Sequence, residues 1–171
     1  MSNRIWKFLN QKINIMTTNE KLTDVLNDLI QINNDRITGY EKAAKETENI
    51  DVDLKAVFSK MADESRKYKS ELFNEVTRLG GTPSTDTTNM GKIYRVWMDV
   101  KATFTGNDRQ AILNSCEYGE DAAQKAYRDA LASDAEIDAA TRQLITSQQA
   151  SLKTSHDLIK TYRDANKAVT A

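Results

Sequence analysis

Apolar residues recur along this chain at alternating steps of three and four, with almost nothing to interrupt them. Leu22, Leu26, Leu29, Asn33, Ile37, Tyr40 and Ala44 form one such stripe, and Leu54, Phe58, Met61, Glu64, Tyr68, Leu72, Val76 and Leu79 a second. That spacing puts side chains on one face of an α-helix, so it predicts helices over about residues 20–47 and from Asp51 or Asp53 to Leu79. A third stripe, Cys116, Glu120, Ala123, Tyr127 and Leu131, predicts a helix from about 108 to 131. A fourth, through Leu152, His156 and Ile159, predicts one from about 135 to 166. One proline and six glycines in 171 residues leave these helices room to run long.

The breaks between stripes set the topology. "ENIDVD" offers aspartates as helix N-caps, and Gly80-Gly81 ends the second stripe. "SDAEID" provides a capped restart before the fourth helix. Between the second and third lies "GGTPSTDTTNMGKIYRVWMDVKATFTGND", whose Ile93, Trp97, Val100 and Phe104 predict a short helix within a long connection. The order is hairpin, long crossover, hairpin. That is an all-α four-helix bundle of the ferritin-like arrangement, since simple up-down bundles need only short loops.

Several functions are disfavoured at once. With 24 Lys+Arg against 25 Asp+Glu the chain is nearly neutral, which argues against a nucleic-acid partner. No apolar run can span a bilayer, and a single cysteine fits a cytoplasmic, reducing setting. There is no glycine-rich phosphate loop opening a helix, no nucleophile elbow and no zinc-finger spacing, so conventional catalysis without a metal has no motif behind it. The beginning, "MSNRIWKFLNQKINI", carries Ile5, Phe8, Leu9 and Ile13 on a stripe edged by Trp6, with Arg4, Lys7 and Lys12 and no acids. Residues 1–15 are therefore expected to be a short amphipathic helix appended to a bundle of residues 16–171, docking on the bundle or on a partner subunit. Contact with a membrane surface is the rival reading. Spare apolar stripes of this kind favour a homo-oligomer, such as a dimer.

Each buried stripe carries one polar side chain: Asn33, Glu64, Glu120 and His156, the only histidine. A carboxylate on a buried face must be paired, protonated or bound to a metal. Asn33 precedes Tyr40 by seven residues, as Glu120 precedes Tyr127, an internal echo that suggests a pseudo-two-fold bundle.

Through "INNDRITGYEKAAKE", "ESRKYKSELFNEVTRLGG" and "CEYGEDAAQKAYRDAL", residues 16–167 resemble a bacterial ferritin-like four-helix-bundle family that is a domain of unknown function, more distantly similar to the rubrerythrins and other diiron proteins. Catalytic members of that wider group hold two iron or manganese ions with a glutamate from each of two helices and a Glu-x-x-His from each of the other two. Carried over by position, the resemblance implies Asn33 for the first glutamate and Glu64 followed by Lys67 for the first pair. It implies Glu120 for the second glutamate and Lys153 followed by His156 for the second pair. Glu64, Glu120 and His156 thus remain as metal candidates, while Asn33, Lys67 and Lys153 stand as core polar substitutions at ligand positions. Two lysines beside two carboxylates would supply the compensation a metal supplies, and would repel one.

The leading expectation is a non-catalytic structural or interaction module with no cofactor, in a group where stress-related roles are common, its dinuclear site replaced by an ionic core in which Glu120 is paired. The alternative is a metal-binding protein or metal-dependent oxidoreductase holding iron, manganese or zinc on Glu64, Glu120 and His156, supplemented by Asn33, Glu117 or Cys116.

Overall fold

The computed structural model describes residues 3–47, 51–86 and 109–170. Four helices fill them: α1 (Asn3–Thr47), α2 (Val52–Arg78), α3 (Arg109–Leu131) and α4 (Ala139–Thr170). The stripe Ile93, Trp97, Val100 and Phe104 lies outside the described residues. Residues 3–15 continue α1 directly, so the N-terminal segment is the first turns of that helix. No break separates it because nothing between Asn3 and Lys21 is a proline or glycine.

Helix ends follow their local chemistry. Asp51 caps α2 by accepting from the Leu54 N–H at 2.9 Å. At the other end Gly80 takes a left-handed φ of +82°. Its N–H then reaches Thr77 O, and the N–H of Gly81 reaches Val76 O, both at 3.0 Å, which closes a Schellman turn. The fourth helix begins four residues later than expected, where Asp138 Oδ1 accepts from the backbone of Ala140 and Thr141, each at 3.0 Å.

Cross-helix contacts give the directions. Lys21 meets Asp134, Asn33 meets Tyr127 and Arg36 meets Glu120, so α1 and α3 are antiparallel. Glu64 meets Ser155 and Glu71 meets Gln148, so α2 and α4 are antiparallel too. Arg109 at the start of α3 pairs with Asp51 at the start of α2, 3.1 Å apart. The end of α2 and the start of α3 therefore lie at opposite ends of the bundle, about 40 Å apart for a helix of this size. The first residues of the crossover climb along α1. Asn27 donates to Thr82 O at 3.0 Å and accepts from the Ser84 N–H at 2.7 Å, and Asn34 donates to Asp86 O at 2.6 Å.

The core forms two apolar clusters. The lower joins Leu22, Leu26 and Leu29 to Leu72, Val76, Ala123, Ile145 and Leu152. The upper joins Tyr40, Phe58, Met61, Leu113, Cys116 and Ile159. Each fully buried Leu, Ile or Phe contributes about 1.5–3 kcal/mol, which makes these clusters the main source of stability. Between them, at mid-depth, lies a polar layer.

Candidate functional site

Arg36 occupies the centre of that layer, fully buried. On α1 one line of buried positions, Leu22, Leu26, Leu29, Asn33, Arg36, Tyr40 and Ala43, alternates steps of four and three, with Ile30, Ile32, Asn34, Asp35 and Ala44 buried beside it. Sequence reading had put Ile37 on this stripe, yet Ile37 is only half-buried and Arg36 takes the core position. The same one-residue displacement recurs twice. Ser65 is fully buried where Glu64 was expected, and Ser155 is buried where His156 was expected. In α3 Cys116, Glu120, Ala123 and Tyr127 are buried as expected and Leu131 at the end of the stripe is half-buried, while in α2 Leu54, Phe58, Met61, Tyr68, Leu72 and Val76 are buried as expected.

Arg36 makes the contacts that its buried charge requires. Its Nη2 donates to Glu120 Oε1 at 2.5 Å, and its Nη1 donates to Ser65 Oγ at 2.6 Å. Glu120 Oε1 also accepts from the Tyr40 hydroxyl, and the guanidinium lies 5.4 Å from the centroid of the Tyr40 ring. Both partners of this ion pair have 0% side-chain exposure. Burial works against the guanidinium's charge, but Glu120, Tyr40 and Tyr127 together more than offset it and raise the Arg36 pKa, so the group stays a cation. Burial, reinforced by the Glu120 charge, pushes both the Tyr40 phenol and the Cys116 thiol well above their ordinary ranges. Neither is a nucleophile near neutral pH.

One turn below runs a second polar chain. Asn33 Nδ2 donates to Leu29 O and to the Tyr127 hydroxyl, each at 2.8 Å. Tyr127 in turn donates to Gln148 Oε1 at 2.8 Å, and Gln148 Nε2 donates to Glu71 Oε2 at 2.8 Å. This chain links all four helices, from the inside outward. Asn33 Oδ1, Arg36 Nε and Glu120 Oε2 have no hydrogen-bond partner among the described residues. The network is held together but not saturated.

The sequence-predicted site residues disperse. Glu120 and Asn33 are fully buried as expected. Lys67 and Lys153 require correction: they are not in the core. Lys67 is 73% exposed and 3.9 Å from Glu71, and Lys153 is 66% exposed and 2.6 Å from Asp157. Flexible ammonium heads stay hydrated unless an inner carboxylate is within reach, and here the inner carboxylate belongs to Arg36. Glu64 is half-buried at the rim, accepting from Ser155 Oγ at 3.3 Å with Lys60 at 3.7 Å. His156 sits beside the core, its ring nitrogens 3.0 Å from Asp121 and 3.1 Å from Asp157. Glu117 pairs with Arg163. Among the described residues, no three His, Cys, Asp or Glu side chains form a group able to hold a metal ion.

The donors present do not fit a dinuclear metal centre. Such a centre needs several inward carboxylates, and the fully buried ones among the described residues are Glu120, which meets the Arg36 guanidinium, and Asp35. Sequence reading missed Arg36, Ser65, Ser155 and Gln148. The signal for Arg36 was its place in the strict heptad counted back from Tyr40. Ser65 and Ser155 had no comparable signal, because each hydroxyl is also satisfied by its own helix, at Met61 O and Ser151 O.

Comparisons with known proteins place this geometry. Residues 21–133 match the family described as "Domain of unknown function (DUF2383)". Among solved structures, thioferritin, the dodecameric bacterioferritin-related protein from Bacteroides fragilis, superposes with a TM-score of 0.73 at 17% identity, covering 94% of this chain and 96% of that one. A single-residue mutant of Dps1 from Mycobacterium smegmatis superposes with a TM-score of 0.69 at 12% identity, covering 86% and 97%. At those identities the likeness shows the fold alone, a ferritin-like four-helix bundle. No curated protein matches the sequence. No helix among the described residues is long and apolar enough to cross a membrane.

Proposed function

The chain belongs to that DUF2383 family of ferritin-like bundles, and from this premise we propose that it is a non-catalytic structural or interaction module. In this reading the place of a dinuclear metal centre is taken by the Arg36–Glu120 ion pair. The observation that carries it is the Arg36 guanidinium itself, buried at 0% side-chain exposure and paired with Glu120. A fixed cation neutralises the carboxylate a metal would need and repels any second cation nearby. Among the described residues the layer is also closed to solvent and holds no activated nucleophile, which further supports a role without turnover.

The protein would work in the cytoplasm, a reducing compartment that suits the buried free thiol of Cys116. It would act as a homo-oligomer, as its dodecameric neighbour does. The rival reading, a reduced metal site on Glu64, Glu120 and His156, has no grouped donors behind it among the described residues.

The test is metal content. Protein exposed to iron(II), manganese(II) and zinc(II), then desalted, is assayed by elemental mass spectrometry. Less than about a tenth of an equivalent is expected. One equivalent or more, lost in Glu120→Ala, would overturn the proposal.

A further inference from the structure

Asn19 donates to Leu79 O at the end of α2, and Lys21 pairs with Asp134 in the turn between α3 and α4. The base of the bundle is therefore level with residues 19–21 of α1. That helix begins at Asn3, so residues 3–18 carry it beyond the end of the other three by about 24 Å at 1.5 Å per residue. A helix of this length is only marginally stable in water unless an amphipathic face is packed. The sequence supplies such a face: Ile5, Phe8, Leu9 and Ile13 share one stripe.

Charge indicates what covers it. Residues 3–18 hold Arg4, Lys7 and Lys12 and no acid. The base from which they project has the opposite sign. Glu20 and Asp24 line an open cleft of about 210 Å³ with Thr23, Leu79, Gly80 and Gly81. Lys21 and Arg78, the nearby cations, are committed to Asp134 and to Glu75 and Asp138. A basic helix leaving an acidic end is complementary to a second copy of the same end turned about a two-fold axis.

We infer that the overhanging start of α1 pairs antiparallel with its counterpart in a second copy of this chain, its basic residues lying towards Glu20 and Asp24 of the other copy. The contact is isologous, so one surface supplies both the basic and the acidic half. This deepens the interaction-module reading, which the metal measurement tests independently.

A charge swap tests it. Sedimentation equilibrium of the full chain is compared with Arg4→Glu/Lys7→Glu/Lys12→Glu and with that variant carrying Glu20→Lys and Asp24→Lys as well. The triple reversal is expected to weaken association at least about tenfold, and the combined variant to restore it. Circular dichroism on both variants should show the thermal transition of the bundle retained. A wild-type chain that stays monomeric at high micromolar concentration would overturn the inference, as would association indifferent to the reversal or unrestored by the swap. Flotation of the full chain with phosphatidylserine-containing vesicles, abolished by the triple reversal, would assign the segment to a membrane surface instead.

Discussion

Replacing Arg36 by methionine should destabilise the protein more than any substitution of a surface ion pair. Met is close to Arg in length, so the change removes charge and hydrogen bonds while leaving most of the volume filled. Glu120 would keep only the Tyr40 hydroxyl as a partner, at 0% exposure. Breaking a buried pair in this way costs about 3–5 kcal/mol, and for a domain of this size that lowers Tm by about 6–20 °C. Ser65 loses little, since its hydroxyl still donates to Met61 O at 2.9 Å. The double variant Arg36→Met/Glu120→Leu should recover most of the loss. The native pair leaves Arg36 Nε and Glu120 Oε2 without partners, so its removal as a unit sacrifices an incompletely satisfied network. Urea unfolding of the two single variants and the double closes a cycle that measures the coupling. Losses below about 1 kcal/mol in the single variants, or strict additivity in the double, would show that the pair does not carry the central layer.

Three further outcomes follow from the same packing. Tyr127→Phe cuts the chain from Asn33 to Gln148 and leaves both amides short of a partner, costing about 1–3 kcal/mol by urea unfolding, whereas a merely peripheral hydroxyl would cost almost nothing. Burial raises the pKa of Tyr40, Tyr68 and Tyr127, so the stability they contribute is complete below about pH 10 and is lost as pH rises towards their folded values. Their tyrosinate absorbance at 295 nm should therefore appear together with the loss of helical ellipticity, and an earlier rise from all six tyrosines would contradict their burial. At Gly81 an added Cβ would lie 2.4 Å from Thr23 Cγ2, so Gly81→Ala should cost about 1–3 kcal/mol and be largely relieved by Thr23→Ala.

Much of the architecture was legible in the sequence because helical period and breakers are local properties. The stripes beginning at Leu22 and Leu54, the Asp51 cap and the Gly80-Gly81 stop lie within a few residues of the structure they specify. The long connection after Gly81 fixed the ferritin-like order by its length alone. In α3 the candidate Glu120 was found, and its need for a partner recognised, because apolar neighbours flank it on both sides.

What only the tertiary structure decided is which partner answers that need. The helical repeat leaves a one-residue tolerance, and apolarity by itself favours Ile37 over Arg36. Lys67 and Lys153 were assigned to the core by resemblance, but a lysine enters an interior only when a carboxylate there is not already satisfied. An arginine is stable in the core only because a carboxylate 84 positions away meets it there. That is a property of two helices brought together, not of either one. Sequence by itself determined the bundle and the presence of a charge at its centre; the packing of α1 against α3 determined that the charge is answered from within the protein.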